Sequence, residues 1–135
     1  MRDRPQLIRR RSAISGWGVY AAQPIAEDAL IVEYKGELIS QAEAWRRERR
    51  YLPRHRIWIF NIDDRWARDA AIGGNVARYI NHACRPNCYV DIVGRHIWIR
   101  ASRAIRTGEE LTYDYNTEGF AGIPCRCRPR CRRIL

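Results

Sequence analysis

The chain has 135 residues, an apolar fraction of 46% and a formal net charge of +10. These values fit one globular domain with one core. No apolar run approaches the roughly 18 residues of a membrane span, and no apolar stretch follows the basic start MRDRPQLIRRRSAIS as it would in a signal peptide. We therefore expect a soluble, intracellular protein with no membrane partner.

The first half of the chain predicts short strands and one helix. GWGVYAA is typical of a loop that enters a strand, and ALIVEY and KGELIS are two further strand-like runs separated by a glycine. Residues 40–52 favour a helix, because Ser40 can cap its first turn and Glu43 stands at the third helical position. The alternation in RIWIFNIDD predicts a strand that ends in a turn.

The second half predicts a hairpin and a small basic tail. NVARYINHA favours one or two helical turns, and YVDIV and HIWIRA predict a hairpin with its turn at Gly94-Arg95. RTGEELTYDYN predicts a turn followed by a strand. Residues 1–118 would form the main domain and residues 119–135 a Gly- and Pro-punctuated tail module. Many short strands and few short helices predict a mainly β fold with several small sheets.

Arginine dominates the charge of this chain. There are 24 arginines and a single lysine, Lys35. A basic surface attracts acidic partners, including nucleic acid, but a GC-rich genome also produces such a bias. Both interpretations stay open, and the same holds for the arginines of the predicted helix, which either line a substrate groove or form a solvated helix face.

Five cysteines lie in the second half of the chain. In a reducing compartment, clustered cysteines favour a metal over disulfides. The tail motif C-x-C-x3-C supplies three of the four thiolates that a structural zinc site uses, and either Cys84 or Cys88 would have to supply the fourth. The alternative is a disordered basic tail with incidental cysteines.

Three other motifs are weak when each is taken alone. NHAC does not make a cysteine nucleophile without an assigned orienting residue, and GWG matches neither a Rossmann nor a P-loop pattern. Tyr113 and Tyr115 stand two residues apart, so on a strand they would point to one face and line one pocket together.

Taken in order, the motifs resemble one family. GWGVYA, EYKGELIS, GNVARYINHACRPNC, GEELTYDYN and CRCRPRC resemble the SET-domain protein-lysine methyltransferases with a post-SET zinc tail. The resemblance covers residues 9–135, and the pairing of R-Y-I-N-H-x-C-x-P-N with E-L-x-Y-D-Y is highly specific. It implies several small sheets around a knot-like core, in which E-L-T-Y-D-Y threads beneath a loop near N-H-A-C. S-adenosylmethionine would bind on one face, and the substrate lysine would enter from the other.

The resemblance also implies a role for individual residues. Tyr115 would be the catalytic tyrosine, with Tyr113 beside it. Cys88 would be left outside the metal site. The cofactor would be held by Gly16, Trp17, Gly18, Tyr34, Arg78, Asn81 and His82. One structural zinc ion would be held by Cys84, Cys125, Cys127 and Cys131.

The chemistry of methyl transfer agrees with this assignment. The acceptor must be a neutral amine, whereas free lysine has a pKa near 10.4, and an aromatic channel disfavours the ammonium form by desolvation. Tyr113 stands where family members carry Phe or Tyr, and a tyrosine there is associated with fewer methyl additions. We therefore predict mono- or dimethylation.

The sequence departs from the family pattern at three points. Ala83 replaces the usual Ser, and the tail is C-x-C-x3-C, one residue shorter than C-x-C-x4-C. The aromatic residue that lies over the adenine in the family is missing from the final RRIL.

These observations predict an S-adenosylmethionine-dependent protein-lysine N-methyltransferase. The substrate would be a histone, for example a histone tail, or another basic or nucleic-acid-associated protein, and nucleic acid could bind the arginine-rich surface. The alternative is a catalytically silent basic module that binds nucleic acid or an acidic protein; a third hypothesis is a methyltransferase with non-histone targets. The location would be the cytoplasm of a bacterium, or a host nucleus after export.

Overall fold

The computed structural model describes residues 4–135, which form ten short strands, one α-helix and two 3-10 helices. The helix α1 is Gln41–Tyr51, and the 3-10 helices are Leu52–Arg54 and Val76–Tyr79. The strands, in chain order, are β1 Leu7–Arg11, β2 Trp17–Ala21, β3 Leu30–Glu33, β4 Glu37–Ser40, β5 Ile59–Asn61, β6 Trp66–Asp69, β7 Asn81–His82, β8 Cys88–Val93, β9 His96–Ala101 and β10 Thr112–Tyr113. None of the described helices has the length and apolar character to cross a membrane.

The strands form four small sheets, which confirms the mainly β prediction. Two sheets have two strands, β1–β2 and β10–β7, and two have three, β3–β9–β8 and β4–β6–β5. All pairs are antiparallel except β7 with β10. The predicted turn at Gly94-Arg95 is confirmed, because Val93 pairs with His96 and Gly94 adopts a φ of +62°.

Strands β1, β6 and β7 were not predicted, and one predicted strand is shorter than expected. The carboxylate of Asp63 accepts hydrogen bonds from the backbone N–H groups of Arg65 and Trp66 at 2.8 Å each, and the resulting turn ends the strand of RIWIFNIDD at Asn61. The chain then returns as β6 beside β5. Strands β1 (LIRRR) and β6 (WARD) carry charged residues and lack a strong β pattern, so their pairing partners determine them.

Helix α1 begins as the sequence predicts. The Ser40 hydroxyl accepts a hydrogen bond from the backbone N–H of Glu43 at 3.2 Å. The helix packs Ala44 into a small cluster with Ile39 and Ala67. Its arginine Arg47 reaches the fully buried Asp69 on β6 at 2.9 Å, so a buried ion pair adds to the packing of the helix against this sheet.

The core and the parallel strand pair bring the two family motifs together. Apolar side chains of β2, β3, β9 and the segment before β10 form the main cluster. The register of β7 and β10 places Asn81 opposite Thr112 and His82 opposite Tyr113. Asn87 stabilises this strand pair through two hydrogen bonds. Its side chain accepts one from the Thr112 N–H and donates one to the Glu110 carbonyl, both at 2.9 Å. Residues 75–88 and 108–116 therefore lie side by side.

Candidate functional site

An aromatic cavity of about 600 Å³ opens between α1, β5 and the segment after β10. Four of its rings form a row of tilted pairs. Between centroids, Tyr34 lies 5.1 Å from Phe60, Phe60 lies 5.8 Å from Tyr113, and Tyr113 lies 4.9 Å from Tyr115. Acidic side chains of Glu48 and Asp114 also line it. We call this the first cavity. As predicted, Tyr113 and Tyr115 line one pocket together.

A second cavity of about 340 Å³ lies under the β1–β2 turn and the tail. No acidic side chain lines it, whereas three arginines do: Arg56, Arg78 and Arg126. Trp17 and Tyr79 contribute aromatic surface. Ile123, Pro124 and Leu135 of the tail contribute aliphatic surface.

The two cavities share a wall. Arg56, Ile57, Trp58 and Tyr115 line both of them. Trp58 is fixed from two sides, because the Arg56 guanidinium lies 4.9 Å from its ring and its carbonyl accepts a 2.7 Å hydrogen bond from the Tyr34 hydroxyl. A molecule in one cavity would therefore face a molecule in the other across this wall, with Tyr115 at the junction.

Tyr115 is held at both its backbone and its hydroxyl. Its N–H donates to Nδ1 of His82 at 3.0 Å, and its hydroxyl donates to the Ile80 carbonyl. Burial lowers the pKa of His82, so the ring is neutral and its Nδ1 can accept this hydrogen bond. Burial, followed by the charge of Glu110, raises the pKa of Tyr115, so its phenol is neutral at pH 7.

The remaining tyrosines of the first cavity are also neutral. Burial is the largest cause that raises the pKa of Tyr34 and of Tyr113 well above the usual value. Among the described residues, none makes a hydrogen bond to the Tyr113 hydroxyl. That hydroxyl is a polar group within the aromatic row, between Phe60 and Tyr115.

Asn81 fixes the loop that enters β2. Its side-chain amide donates to the carbonyls of Ser15 and Trp17 at 3.1 and 3.0 Å, and to the Glu110 carboxylate at 3.0 Å. Gly16, with a φ of +46°, makes the turn between them. One side-chain amide on β7 therefore fixes the loop that enters β2 and connects it to Glu110.

Four thiols converge at the tail. The Sγ atoms of the cluster Cys84, Cys125, Cys127 and Cys131 all lie within 4.8 Å of one another. Cys84 Sγ lies 3.8 Å from Cys125 Sγ and 3.7 Å from Cys131 Sγ. Thiolates bound at about 2.3 Å to a tetrahedral zinc ion would stand about 3.8 Å apart, whereas a disulfide requires about 2.05 Å. The cluster can therefore hold a zinc ion, and the shortened C-x3-C spacing does not prevent convergence.

Cys88 is separate from this cluster. It is 2% exposed, packs in the main core and is near the Asn87 side chain. Burial raises the pKa of its thiol to about 12. The choice between Cys84 and Cys88, which the spacing left open, falls on Cys84.

An ion pair joins the tail to the strand that carries the tyrosines. The Arg133 guanidinium contacts both carboxylate oxygens of Asp114 at 3.2 and 3.3 Å, and it also lies 3.8 Å from Cys84 Sγ. Asp114 stands between Tyr113 and Tyr115. The tail is thereby connected to the wall between the cavities.

Five of the seven residues to which the resemblance gives a role in cofactor binding line one cavity. Gly16, Trp17, Arg78, Asn81 and His82 line the second cavity. Tyr34 lies in the first cavity instead, and Gly18 lines neither. A Cβ atom at Gly18 would stand 2.4 Å from a carboxylate oxygen of Glu110, so this glycine permits close backbone approach within the fold.

Several residues of the site were missed by sequence reasoning. Phe60 belongs to the aromatic row, Glu110 anchors Asn81, and Leu135 covers the second cavity. The alternation of RIWIF would have indicated Phe60, because Trp58 and Phe60 share a face. Nothing local indicates Glu110 or Leu135.

Comparisons with known proteins agree with this geometry. Residues 16–116 match the family described as the SET domain. The chain is 47% identical over 132 residues to histone-lysine N-methyltransferase trithorax of Drosophila virilis. It is 44% identical over 136 residues to a protein of Yarrowia lipolytica named histone-lysine N-methyltransferase, H3 lysine-4 specific. Each alignment covers 93% of this chain, but the chain spans only 3% and 12% of these relatives.

Two solved structures have a similar fold. One is described as ctPRC2 in an autoinhibited conformation bound to S-adenosylmethionine; it has a TM-score of 0.77 and 34% identity, and the match covers 85% of this chain and 16% of that chain. The other, a humanized mutant of the Chaetomium thermophilum Polycomb Repressive Complex 2 bound to the inhibitor GSK126, has a TM-score of 0.74 and 36% identity. That match covers 85% of this chain and 15% of the other.

Proposed function

The chain belongs to the SET-domain family, and we propose on this basis that it is an S-adenosylmethionine-dependent protein-lysine N-methyltransferase. The observation that carries the proposal is the wall of Arg56, Ile57, Trp58 and Tyr115, which separates two cavities of different character. Methyl transfer needs a donor and an acceptor that approach from opposite sides in line. Two cavities on opposite sides of this wall suit such an arrangement.

The second cavity fits the cofactor. Its volume of about 340 Å³ lies within the range of small-molecule sites. The backbone of Gly16 and Trp17 and the loop fixed by Asn81 and His82 would hold the cofactor, and Arg78 would complement its carboxylate. When bound, S-adenosylmethionine supplies a methyl group on a cationic sulfur, which keeps the bonding electron pair as the methyl group leaves.

The first cavity fits the lysine side chain. Its aromatic walls disfavour a charged ammonium, so the lysine would lose its proton to water before its Nζ lone pair forms the new bond to carbon. Tyr115 is neutral and already donates its hydroxyl hydrogen to the Ile80 carbonyl. We assign it to orientation of the amine through its oxygen, not to proton removal. Tyr34 would line this channel and not the cofactor site.

Histone H3 is the proposed substrate. Two features support it: the names of the relatives, and the acidic side chains of Glu48 and Asp114, which suit a basic peptide in a chain that is otherwise strongly basic. We propose that lysine-4 of histone H3 is the first lysine to test. The Tyr113 hydroxyl supports mono- or dimethylation as the end point.

We also propose a structural role for the metal. Zinc at the four-cysteine cluster would fix residues 119–135 over the second cavity as a tail module distinct from residues 1–118. Proteins that act on chromatin work where chromatin is, so we propose a nuclear site of action. The expectation of a bacterial source with export gains no support from the relatives described above, which come from a fly and a yeast.

The test is methyl transfer from labelled S-adenosylmethionine to an N-terminal histone H3 peptide, with the same peptide carrying arginine at lysine-4 as the substrate control. We expect labelled methyl groups to be transferred to the peptide. We expect Tyr115→Phe to lower this transfer about 100-fold, because misplacement of the acceptor by about 1 Å has that effect. A Lys35→Arg variant removes self-methylation from the background. Calorimetry that detects no cofactor binding to the zinc-loaded protein would contradict the proposal and favour the catalytically silent basic module.

A further inference from the structure

An arginine-rich surface lies along strand β1, beside the second cavity. Arg9, Arg10 and Arg11 are consecutive and exposed. Alternate residues of a strand point to one side, so Arg9 and Arg11 share a side and Arg10 points away, over Tyr20. The antiparallel register with β2 sets Arg11 opposite Trp17.

Two aromatic rings order these arginines. The guanidinium carbons of Arg9 and Arg11 lie 4.6 and 4.4 Å from the Trp17 ring centroid. Arg9 and Arg78 both lie 4.9 Å from the Tyr79 ring. A guanidinium stacked on a ring has its face covered while its N–H edge stays free to donate. We name Arg9, Arg11 and Arg78, together with Trp17 and Tyr79, the β1 basic face.

A third cavity of about 450 Å³ continues this face. Arg9, Arg78 and Tyr79 line it together with residues 73–75, two of which are glycines. No acidic side chain lines it. Within the described part of the chain, no carboxylate forms an ion pair with Arg9, Arg11 or Arg78. The hydrogen bond from Arg78 lowers the pKa of Tyr79, and the positive charge of Arg9 lowers it further. The direction agrees with a positive electrostatic potential at this surface.

We propose that the β1 basic face binds the phosphodiester backbone of nucleic acid. Arginine forks match phosphate oxygens bidentately, and stacking holds the forks in place before binding. Arg9 and Arg11 stand two residues apart on the strand, a separation of about 6.6 Å, so their two forks can contact different phosphate groups of one backbone. Because the aromatic faces are already covered by arginine, bases have no free ring to stack on, and binding is independent of sequence.

The position of the face gives this binding a consequence. Trp17, Arg78 and Tyr79 belong both to the face and to the second cavity, whereas none of them lines the first. Bound nucleic acid would therefore lie on the cofactor side and leave the first cavity open to a peptide. If the proposed function holds, this geometry suits a lysine on a protein that is already bound to nucleic acid.

The experiment is fluorescence anisotropy with a labelled duplex DNA of about 20 base pairs and a labelled single-stranded RNA, at salt concentrations from 50 to 200 mM. Neither cofactor nor peptide is added, so the outcome is independent of methyl transfer. The test variant is Arg9→Gln with Arg11→Gln. The matched control is Arg49→Gln with Arg50→Gln, a second pair of exposed arginines on α1. Circular dichroism and zinc content verify the fold of both variants.

We expect the β1 variant to bind duplex DNA about tenfold or more weakly, and its slope of log affinity against log salt to fall by about 2. The control variant should stay close to the unmodified protein, and RNA should respond in the same way as DNA if the backbone alone is read. Three results would overturn the proposal: no salt-dependent binding to either probe, an equal loss in both variants, or displacement of DNA by polyglutamate at equal charge concentration, which would indicate an acidic protein instead.

Discussion

At the scale of single residues, the site depends on hydroxyl groups with different partners. Tyr115 donates to the Ile80 carbonyl and Tyr34 donates to the Trp58 carbonyl, so both are committed to the protein. Tyr113 has no such partner among the described residues. It is therefore the tyrosine whose hydroxyl can hold a water molecule where a methylated amine would otherwise fit.

This difference gives a prediction for Tyr113→Phe. Without the phenolic oxygen, the water loses a hydrogen bond of about 1 kcal/mol, and the space becomes available to a larger methylated amine. We expect the ratio of trimethylated to monomethylated peptide to rise about fivefold or more, as measured by mass spectrometry at matched turnover. Abundant trimethyl-lysine from the unmodified protein would contradict the role given to Tyr113.

At the scale of elements, α1 is tied to its sheet by a buried charge network more than by apolar area. Ala44 is the buried residue of the helix, whereas the fully buried Asp69 accepts hydrogen bonds from Arg47 at 2.9 Å and from the Tyr51 hydroxyl at 2.8 Å. Arg47 also pairs with Glu37 and Glu43. Since α1 borders the first cavity, the network also positions one side of the proposed peptide site.

The network predicts a large effect of Asp69→Asn on stability. Both carboxylate oxygens of the buried Asp69 accept hydrogen bonds, from Arg47 and Tyr51 at one oxygen and from the Ala71 N–H at the other. An amide NH2 group in place of either oxygen would leave buried donors without an acceptor, and we expect the free energy of unfolding to fall by about 3 kcal/mol. The matched control is Asp91→Asn, whose partner Arg100 is solvent-accessible and whose loss should cost less than about 1 kcal/mol. Urea denaturation of both variants provides the measurement, and equal losses would rule out a special contribution from the buried pair.

At the scale of the whole molecule, the tail and the main domain complete the site together. Cys84 brings the loop of β7 to the tail cysteines, and Arg133 joins the tail to Asp114. Five tail residues then line the second cavity: Ile123, Pro124, Cys125, Arg126 and Leu135. The proposed zinc ion would therefore act on cofactor binding through the position of the tail.

We predict that Cys127→Ser abolishes zinc binding and weakens cofactor binding about tenfold or more. Tenfold corresponds to the loss of about 55 Å² of apolar contact between the tail and the ligand. Zinc content by elemental analysis and calorimetry with the cofactor provide the measurements. Cys88→Ala, at a cysteine outside the cluster, should retain the zinc. If the cofactor bound with unchanged affinity after loss of the metal, the prediction that the tail contributes to the cofactor site would be wrong.

Features that depend on neighbouring residues could be predicted from the sequence. The Ser40 cap, the Gly94 turn and the β8–β9 hairpin follow from side chains and backbone angles within a few positions. The motif order identified the family, and with it His82 and Tyr113, which contact Tyr115. The chemistry of the tail, three thiols in seven residues, was also evident in the sequence.

Only the tertiary structure decided how distant segments meet. β1 and β6 form strands because β2 and β4 offer edges to pair with. Tyr34 points into the first cavity because its hydroxyl reaches the Trp58 carbonyl. Cys84 joins the tail cysteines, whereas Cys88 is enclosed by the core. The β1 basic face likewise needs Trp17 and Tyr79 to come together from separate elements. Local propensity acts over a few residues, whereas burial and pairing energies are gained between residues far apart in the chain, so a single sequence specifies the first directly and the second only through the folded molecule.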